Sequence, residues 1–308
     1  MPLALRGSMV ALVTPFRNDA VDRAALNRLV ELHVASGTSA LVPCGTTGES
    51  ATLSFEEHDH VIEWTVESAR GRIPVIAGTG SNNTREAIRL TRHAEEAGAD
   101  AALLITPYYN RPTQRGLFLH FKAISESVRI PLVLYNIASR TAVNIEPETF
   151  AQLSGLRNIV AVKESSGNLE QMSRILQATE GRLALLSGDD ALTLPVMSIG
   201  GTGVISVAAN IAPKDVAVMV GAFEAGQRDE ALRWHRKLLP LIRALFVETN
   251  PIPVKTAMGM LGMLEPQLRL PLCEMSEPNQ ERLRQALASY GLLGSTTTPV
   301  KKNVARKH

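Results

Sequence analysis

A single lysine interrupts an otherwise apolar run near the middle of the chain. Residues 159–162, Ile-Val-Ala-Val, are followed at once by Lys163 and then by Glu164. Four consecutive apolar residues are typical of a strand buried on both faces, so Lys163 is expected where that strand emerges. An amine attacks a carbonyl only in its neutral form, which apolar surroundings favour. The position predicts an imine-forming lysine. The non-catalytic alternatives are a lysine whose amine reaches solvent past a buried stem, and a lysine that is ion-paired with Glu164.

Two adjacent threonines occupy a turn that follows another short apolar run. Residues 45–50, which we call the threonine turn, read Gly-Thr-Thr-Gly-Glu-Ser. The glycines permit a tight turn, and the hydroxyl and N–H groups of Thr46 and Thr47 suit a carboxylate. The segment is neither a phosphate-binding loop nor a dinucleotide fingerprint. Taken alone, it would be a simple glycine turn.

Two further apolar runs end in tyrosines. Tyr135 follows residues 131–134 and can transfer protons, and Arg140 close behind it can bind a carboxylate. The alternatives are an amphipathic core tyrosine and a solvated loop arginine. Tyr108 and Tyr109 are adjacent between two prolines, and because aromatic residues form only 4% of the chain, this pair suggests an interface or a site.

Metal chemistry has little support in the sequence. His58 and His60 are two residues apart and would lie on different faces of a helix. No cluster of carboxylates and histidines follows the apolar runs. We therefore expect no metal and no nucleotide cofactor.

Eight apolar segments recur along the first two thirds of the chain, with helical patterns between them. The segments occupy residues 9–13, 40–42, 73–77, 101–105, 131–134, 159–162, 183–186 and 204–207. The helical patterns occupy residues 22–36, 54–71, 84–98, 116–128, 147–153 and 168–179. This alternation predicts an α/β fold of the (β/α)8 TIM-barrel type. An open doubly wound sheet is the alternative, but its glycine-rich turn after the first strand is missing.

Catalytic residues of such barrels lie at the C-terminal ends of the strands. The seventh predicted strand ends near Gly188, where Asp189 or Asp190 is most simply an N-cap, and the eighth ends near Ile205. After residue 207 the pattern is helical over 213–293, with pieces near 214–226, 228–246 and 277–290. We expect a barrel domain over residues 1–225, a C-terminal helical extension over 226–293 and a disordered tail over 294–308.

The amino-acid composition and net charge limit the kinds of partner and function that are expected for this protein. The 308 residues are 45% hydrophobic and carry a net charge of +2, so neither a nucleic-acid nor a membrane partner is expected. Two cysteines, Cys44 and Cys273, do not form a disulfide framework. No signal peptide or membrane span is evident, and the expected location is the cytoplasm.

Together the motifs resemble the class I pyruvate-dependent aldolases, and most closely the dihydrodipicolinate synthase family. The resemblance covers nearly the whole chain and rests on residues 45–50, 108–110, 135–136, 139–141 and 162–165. It implies a lyase that condenses pyruvate with L-aspartate-4-semialdehyde in lysine and diaminopimelate biosynthesis. It also implies a homo-oligomer, a tetramer built as a dimer of dimers.

The resemblance further implies roles for individual residues. Lys163 forms the imine, and Tyr135 passes protons through Thr46 to Tyr109, which reaches in from a neighbouring subunit. The implied substrate-binding positions are Thr47, Arg140, Gly188 and the backbone at Ile205. Ala138 and Ala142 depart from the proline or glycine that family members often have beside this arginine, so the pose of the second substrate stays open.

Lysine is a feedback inhibitor of many family members. The matching positions are Ser50, Ala51, Leu53, His58, Asn82, Glu86 and Tyr108. Phe55 replaces a histidine of well-studied sensitive members, which leaves inhibition open.

Two other functions also remain: a related imine-forming aldolase or dehydratase acting on sugar acids or N-acetylneuraminate, and a non-catalytic binding paralogue.

Overall fold

Eight parallel strands form a nearly closed barrel in the computed structural model, which describes residues 5–293. The strands of the chain are β1 (Gly7–Ala11), β2 (Phe16–Arg17), β3 (Ala20–Val21), β4 (Ala40–Val42), β5 (Ile76–Gly78), β6 (Ala101–Ile105), β7 (Leu132–Asn136), β8 (Ile159–Glu164), β9 (Ala184–Ser187) and β10 (Gly203–Ser206). The barrel order is β4-β1-β10-β9-β8-β7-β6-β5, and a bridge between Leu41 and Val75 joins its two ends. The β2–β3 hairpin lies outside the barrel.

Most helices follow the barrel strands and cover their outer faces, whereas the last three come after the barrel and pack mainly on other helices. They are α1 (Arg23–Ala35), α2 (Phe55–Ala69), α3 (Thr84–Glu96), α4 (Gln114–Ser127), α5 (Ala138–Thr141), α6 (Pro147–Leu153), α7 (Leu169–Ala178), α8 (Thr193–Ser198), α9 (Pro213–Glu224), α10 (Arg228–Leu245), α11 (Ile252–Met260) and α12 (Glu277–Tyr290). Their ends obey local chemistry. A reciprocal pair of hydrogen bonds between Ser54 and Glu57 begins α2, and Gly98, in the left-handed region at φ 85°, follows the end of α3.

The register of the strands decides which side chains share a layer inside the barrel. Ile105 pairs with Tyr135, Tyr135 with Lys163, and Lys163 with Leu186. Because residues paired across parallel strands point to the same face, these side chains lie side by side. The predicted lysine and tyrosine are therefore direct neighbours.

The predicted TIM barrel with helices after it is confirmed. The third strand begins at Ile76 rather than residue 73, because Pro74 has no N–H for a ladder. The β2–β3 hairpin and helices α5 and α8 were not predicted, and α11 lies within the predicted helical stretch but was not named as a separate piece. The expectation that 213–293 is helical is wrong for residues 246–251 and 261–276, which form no helix.

Within residues 5–293 no helix is long and apolar enough to cross a membrane. The proposed tail at 294–308 lies outside the described residues.

Candidate active site

The amine of Lys163 lies against an aromatic face inside the barrel. The residue is 6% exposed, and its Nζ lies 4.1 Å from the centroid of the Tyr135 ring. Nζ has no hydrogen-bond or ion-pair partner among the described residues. Glu164 lies on the opposite face of β8, so the alternative of a Lys163–Glu164 pair is wrong. An amine without a carboxylate partner in an apolar environment is suited to attack a carbonyl.

Glu164 belongs to a separate polar network on the outer side of the sheet. Its carboxylate accepts hydrogen bonds from Asn136 Nδ2 at 2.8 Å and from the Ser166 N–H at 2.7 Å. Burial raises the pKa of Glu164, and these donors oppose the shift. Asn136 Nδ2 also donates to Asn144 Oδ1 at 2.9 Å. The network anchors the ends of β7 and β8, and with them Tyr135 and Lys163.

A second lysine, Lys255, is also buried but is not free. Its Nζ donates to Glu49 Oε1 at 2.6 Å and to the Thr14 carbonyl at 2.9 Å. Burial lowers the pKa of Lys255, and the Glu49 carboxylate opposes that shift. In the sequence, Lys163 and Lys255 each follow a short apolar stretch. Only the structure shows which of the two amines is free to react.

Gly188 provides the space that the Lys163 side chain occupies. A Cβ at this position would lie 3.0 Å from Lys163 Cε and 1.9 Å from Ser165 Oγ. A larger residue would force the Ser165 hydroxyl to move and would crowd the Lys163 side chain. The glycine that was predicted to bind substrate therefore lies beside the Lys163 side chain.

The threonine turn is held by its own backbone and by β1's loop. The Glu49 N–H donates to the Thr46 carbonyl at 3.1 Å, and the Thr14 hydroxyl donates to the Gly48 carbonyl at 2.7 Å. Glu49 adopts φ 53°, in the left-handed region. Its buried ion pair with Lys255 holds this uncommon conformation. Thr47 is buried, whereas Thr46 is partly exposed.

Arg140 stands on the short helix α5 and reaches the C-terminal helical region. Its Nη2 donates to the Asn250 carbonyl at 3.0 Å, and the Asn250 side chain donates to Thr47 Oγ1, also at 3.0 Å. Sequence reasoning missed Asn250, whose only signal is a polar residue before a proline-flanked apolar stretch. Ala142 ends α5 at φ 57°, where glycine would be unstrained and alanine costs about 1 kcal/mol. Ala142, which departs from the family pattern, therefore lies at the end of the helix that carries Arg140.

Ile205 is fixed by a carboxylate at the neighbouring strand end. Asp190 accepts hydrogen bonds from the Ser206 hydroxyl and from the Val207 N–H at 2.9 Å. Burial raises the pKa of Asp190, which these donors oppose. Asp189 Oδ1 accepts a hydrogen bond from the Ala191 N–H at 2.9 Å, so Asp189 is the N-cap of the short 3-10 helix Asp190–Leu192.

A cavity of about 780 Å³ lies beside these residues, and Thr46, Tyr135 and Arg140 form part of its wall. Lys163 does not itself line this cavity, but its Nζ lies 4.1 Å from the ring centroid of Tyr135, which does. Within the described chain, neither the Thr46 nor the Tyr135 hydroxyl makes a hydrogen bond to protein. Tyr109 is 91% exposed and does not line the cavity of its own chain. Tyr109 therefore lies outside the cavity that Thr46 and Tyr135 line in the same chain, and the proton path through Thr46 to Tyr109 stays a prediction.

Six of the seven predicted lysine-binding residues line the same cavity: Ser50, Ala51, Leu53, His58, Glu86 and Tyr108. The seventh, Asn82, supports the tyrosine loop by donating to the Tyr108 carbonyl at 3.2 Å. Burial lowers the pKa of His58 to about 4, so this ring is neutral at pH 7. Phe55 also lines the cavity and stacks under the Arg89 guanidinium, 4.9 Å from the ring centroid.

Comparison with known proteins decides the family. The model of the dihydrodipicolinate synthetase family matches residues 4–290. The chain belongs to this family. A family relative from Syntrophus aciditrophicus, named 4-hydroxy-tetrahydrodipicolinate synthase, is 55% identical over 289 residues, which cover 94% of this chain and 99% of that protein. A solved family structure, dihydrodipicolinate synthase from Aquifex aeolicus, is 53% identical with a TM-score of 0.92, covering 94% and 99% of the two chains.

Two other solved members of the family carry small molecules. The enzyme from Acinetobacter baumannii, complexed with pyruvate, is 45% identical, covers 94% of this chain and 100% of its own, and has a TM-score of 0.92. The enzyme from Cyanidioschyzon merolae, with lysine bound, is 43% identical, covers 93% and 99%, and has a TM-score of 0.90.

Proposed function

We propose that this protein condenses pyruvate with L-aspartate-4-semialdehyde to form 4-hydroxy-tetrahydrodipicolinate, a step in lysine and diaminopimelate biosynthesis. The observation that carries the proposal is Lys163. Its buried amine lies beside Tyr135 and has no polar partner within residues 5–293, and the chain is similar to named synthases over nearly its whole length.

The chemistry begins with the Lys163 amine acting as a nucleophile. Lys163 Nζ attacks C2 of pyruvate, the carbonyl oxygen leaves as water, and an imine forms. The imine withdraws electrons, so a methyl proton is lost and an enamine results. The enamine carbon bonds to the aldehyde carbon, whose oxygen takes a proton by way of Tyr135. The amine of the second substrate then adds to the imine carbon, displaces Lys163 and closes the ring.

Other residues serve binding. Thr47 and the backbone at Ile205 hold pyruvate, Gly188 leaves room for the lysine, and Arg140 pairs with the carboxylate of the aldehyde.

No metal or nucleotide takes part in these steps. Tyr109 supplies proton transfer from a second subunit of a homo-oligomer, a tetramer of two such pairs. The two cysteines, Cys44 and Cys273, are free, which supports a reducing cytoplasm.

Borohydride reduction in the presence of pyruvate tests the imine. Mass spectrometry should find the reduced pyruvate adduct on the Lys163 peptide. The Lys255 peptide from the same digest is the internal control, because that lysine is also buried but is ion-paired. An unmodified Lys163 peptide would contradict the proposal.

A coupled assay tests the second substrate. Turnover is expected with L-aspartate-4-semialdehyde and not with sugar aldehydes. If pyruvate is trapped on Lys163 but only sugar aldehydes react, the protein is a different aldolase of the same superfamily. If pyruvate is neither trapped nor consumed, the chain is a binding paralogue.

We also propose that L-lysine inhibits the enzyme from the cavity that Glu86 and His58 line. The lysine-bound relative supports this idea, while Phe55 is the departure from the sensitive pattern. Titrating L-lysine into the assay should lower the rate, and Glu86→Ala, which removes an anionic partner for the ligand, should abolish that response. Equal inhibition of both proteins would place the inhibitor elsewhere.

A further inference from the structure

Asn250 connects the two substrate-binding parts of the site. It is 6% exposed and precedes α11, whose Lys255 is anchored by Glu49. Its side-chain amide donates to Thr47 Oγ1, and its backbone carbonyl accepts from Arg140 Nη2. The side chain thus serves Thr47, whereas the backbone serves Arg140.

The direction of the Thr47 hydrogen bond matters. An amide NH2 can only donate, so the Thr47 hydroxyl oxygen accepts from Asn250 through a lone pair. The hydroxyl proton therefore stays available for another acceptor. In the part of the chain described, that hydroxyl donates no hydrogen bond. A substrate carboxylate is an acceptor of the required kind.

We propose that Asn250 is a positioning residue for pyruvate, whose donated hydrogen bond turns the Thr47 hydroxyl proton toward the pyruvate carboxylate. The inference rests on the proposed function, in which Thr47 holds pyruvate. It predicts an effect on one substrate only. Because Arg140 contacts the backbone of Asn250, replacing the side chain leaves the aldehyde-binding contact in place.

Asn250→Asp is a nearly isosteric test. A carboxylate at this position accepts the Thr47 proton, reverses the hydrogen bond and repels the pyruvate carboxylate. Losing one charge-assisted hydrogen bond should raise the KM for pyruvate by about 10- to 100-fold. Asn250→Ala, which only loses the donor, should raise it by about threefold. The KM for the aldehyde should change by less than about twofold in both variants.

The half-saturating pyruvate concentration for borohydride trapping at Lys163 gives an independent readout, and should rise in parallel with the pyruvate KM. Asn168→Asp, an equal charge change at the exposed N-cap of α7, is the matched control and should behave as wild type. In a Thr47→Val background, Asn250→Ala should have no further effect, because the hydroxyl that it orients is gone.

An unchanged pyruvate requirement in both Asn250 variants would overturn the inference, as would equal increases in KM for both substrates. Absence of trapping in the wild-type protein would instead overturn the proposed function, and this inference with it. The two failures are thus distinguishable from the wild-type measurement alone.

Discussion

Lys255 and Glu49 form an ion pair that solvent does not reach: Nζ lies 2.6 Å from Oε1, and both side chains are fully buried. The pair joins α11 to the threonine turn. Phe16 covers the ammonium, 4.2 Å from its ring centroid, and the Arg269 N–H donates to Glu49 Oε2 at 3.2 Å. All charges and acceptors of the pair are thus satisfied within the C-terminal segment and the barrel rim. The turn that carries the two site threonines is held from outside the barrel.

Breaking this pair from one side should be far more damaging than neutralising both sides. Lys255→Met leaves the Glu49 charge buried and should lower the free energy of unfolding by about 3–5 kcal/mol. The double variant Glu49→Gln with Lys255→Met removes both charges and should recover a large part of that loss. Urea denaturation of the four proteins of the cycle measures the coupling. Simple addition of the two single losses would show that the charges do not interact.

Enlarging Gly188 should impair the lysine without unfolding the barrel. In Gly188→Ala the new Cβ would lie 1.9 Å from Ser165 Oγ, which must rotate away, and 3.0 Å from Lys163 Cε, so the lysine side chain must shift slightly. Because a displacement of about 1 Å costs roughly 100-fold in rate, this smaller shift should lower the trapping rate with pyruvate by several-fold, and by less than about 100-fold. Gly221→Ala, at a helical position with nothing near the added Cβ, is the control and should trap pyruvate normally. Normal trapping in Gly188→Ala would refute the packing argument.

Mixing inactive subunits should restore activity if Tyr109 acts across an interface. Lys163→Ala and Tyr109→Phe should each be nearly inactive alone. In a hybrid pair, the subunit that keeps Lys163 receives an intact Tyr109 from its partner. Equimolar random mixing should return about one quarter of wild-type activity, because half of the pairs are hybrids and each has one complete site. Co-refolding or co-expression followed by assay measures this, and no recovery would assign Tyr109 to its own chain.

Stability should fall in acid partly because of His33, which is buried in α1. Burial lowers the pKa of His33 from 6.5 to about 4, so only the unfolded chain binds this proton between those pH values. Its contribution to the free energy of unfolding is complete above pH 6.5 and is lost as the pH falls to 4, by roughly 3 kcal/mol.

The measurement compares the unfolding free energy of wild type and His33→Gln across this pH range. The variant lacks the titrating group, so the difference between the two proteins should shrink as the pH falls. Other buried groups, such as Glu164 and Asp190, are present in both proteins, so their contributions to the pH dependence cancel in the comparison. Parallel pH curves would mean that His33 is protonated equally in both states.

Local sequence was enough to predict the barrel and to single out Lys163 as the expected imine-forming residue. Each strand is a continuous apolar run, and capping residues and glycines mark the helix ends, because these preferences act over a few residues. Lys163, Tyr135 and the threonine turn follow such runs, and a parallel barrel brings the C-terminal ends of its strands to one rim. The motifs at these positions also carried the family resemblance.

Tertiary structure alone decided how the site is supported. Glu49 and Lys255 are 206 residues apart in the chain, and Thr47 and Asn250 are 203 apart. No local preference signals such contacts, since they arise only when the C-terminal helices pack on the barrel rim. The sequence singles out Lys163, at the end of an apolar run, and gives no sign that Lys255 is also buried. Packing places a carboxylate against Lys255 and an aromatic face against Lys163, and that difference leaves only Lys163 free to react.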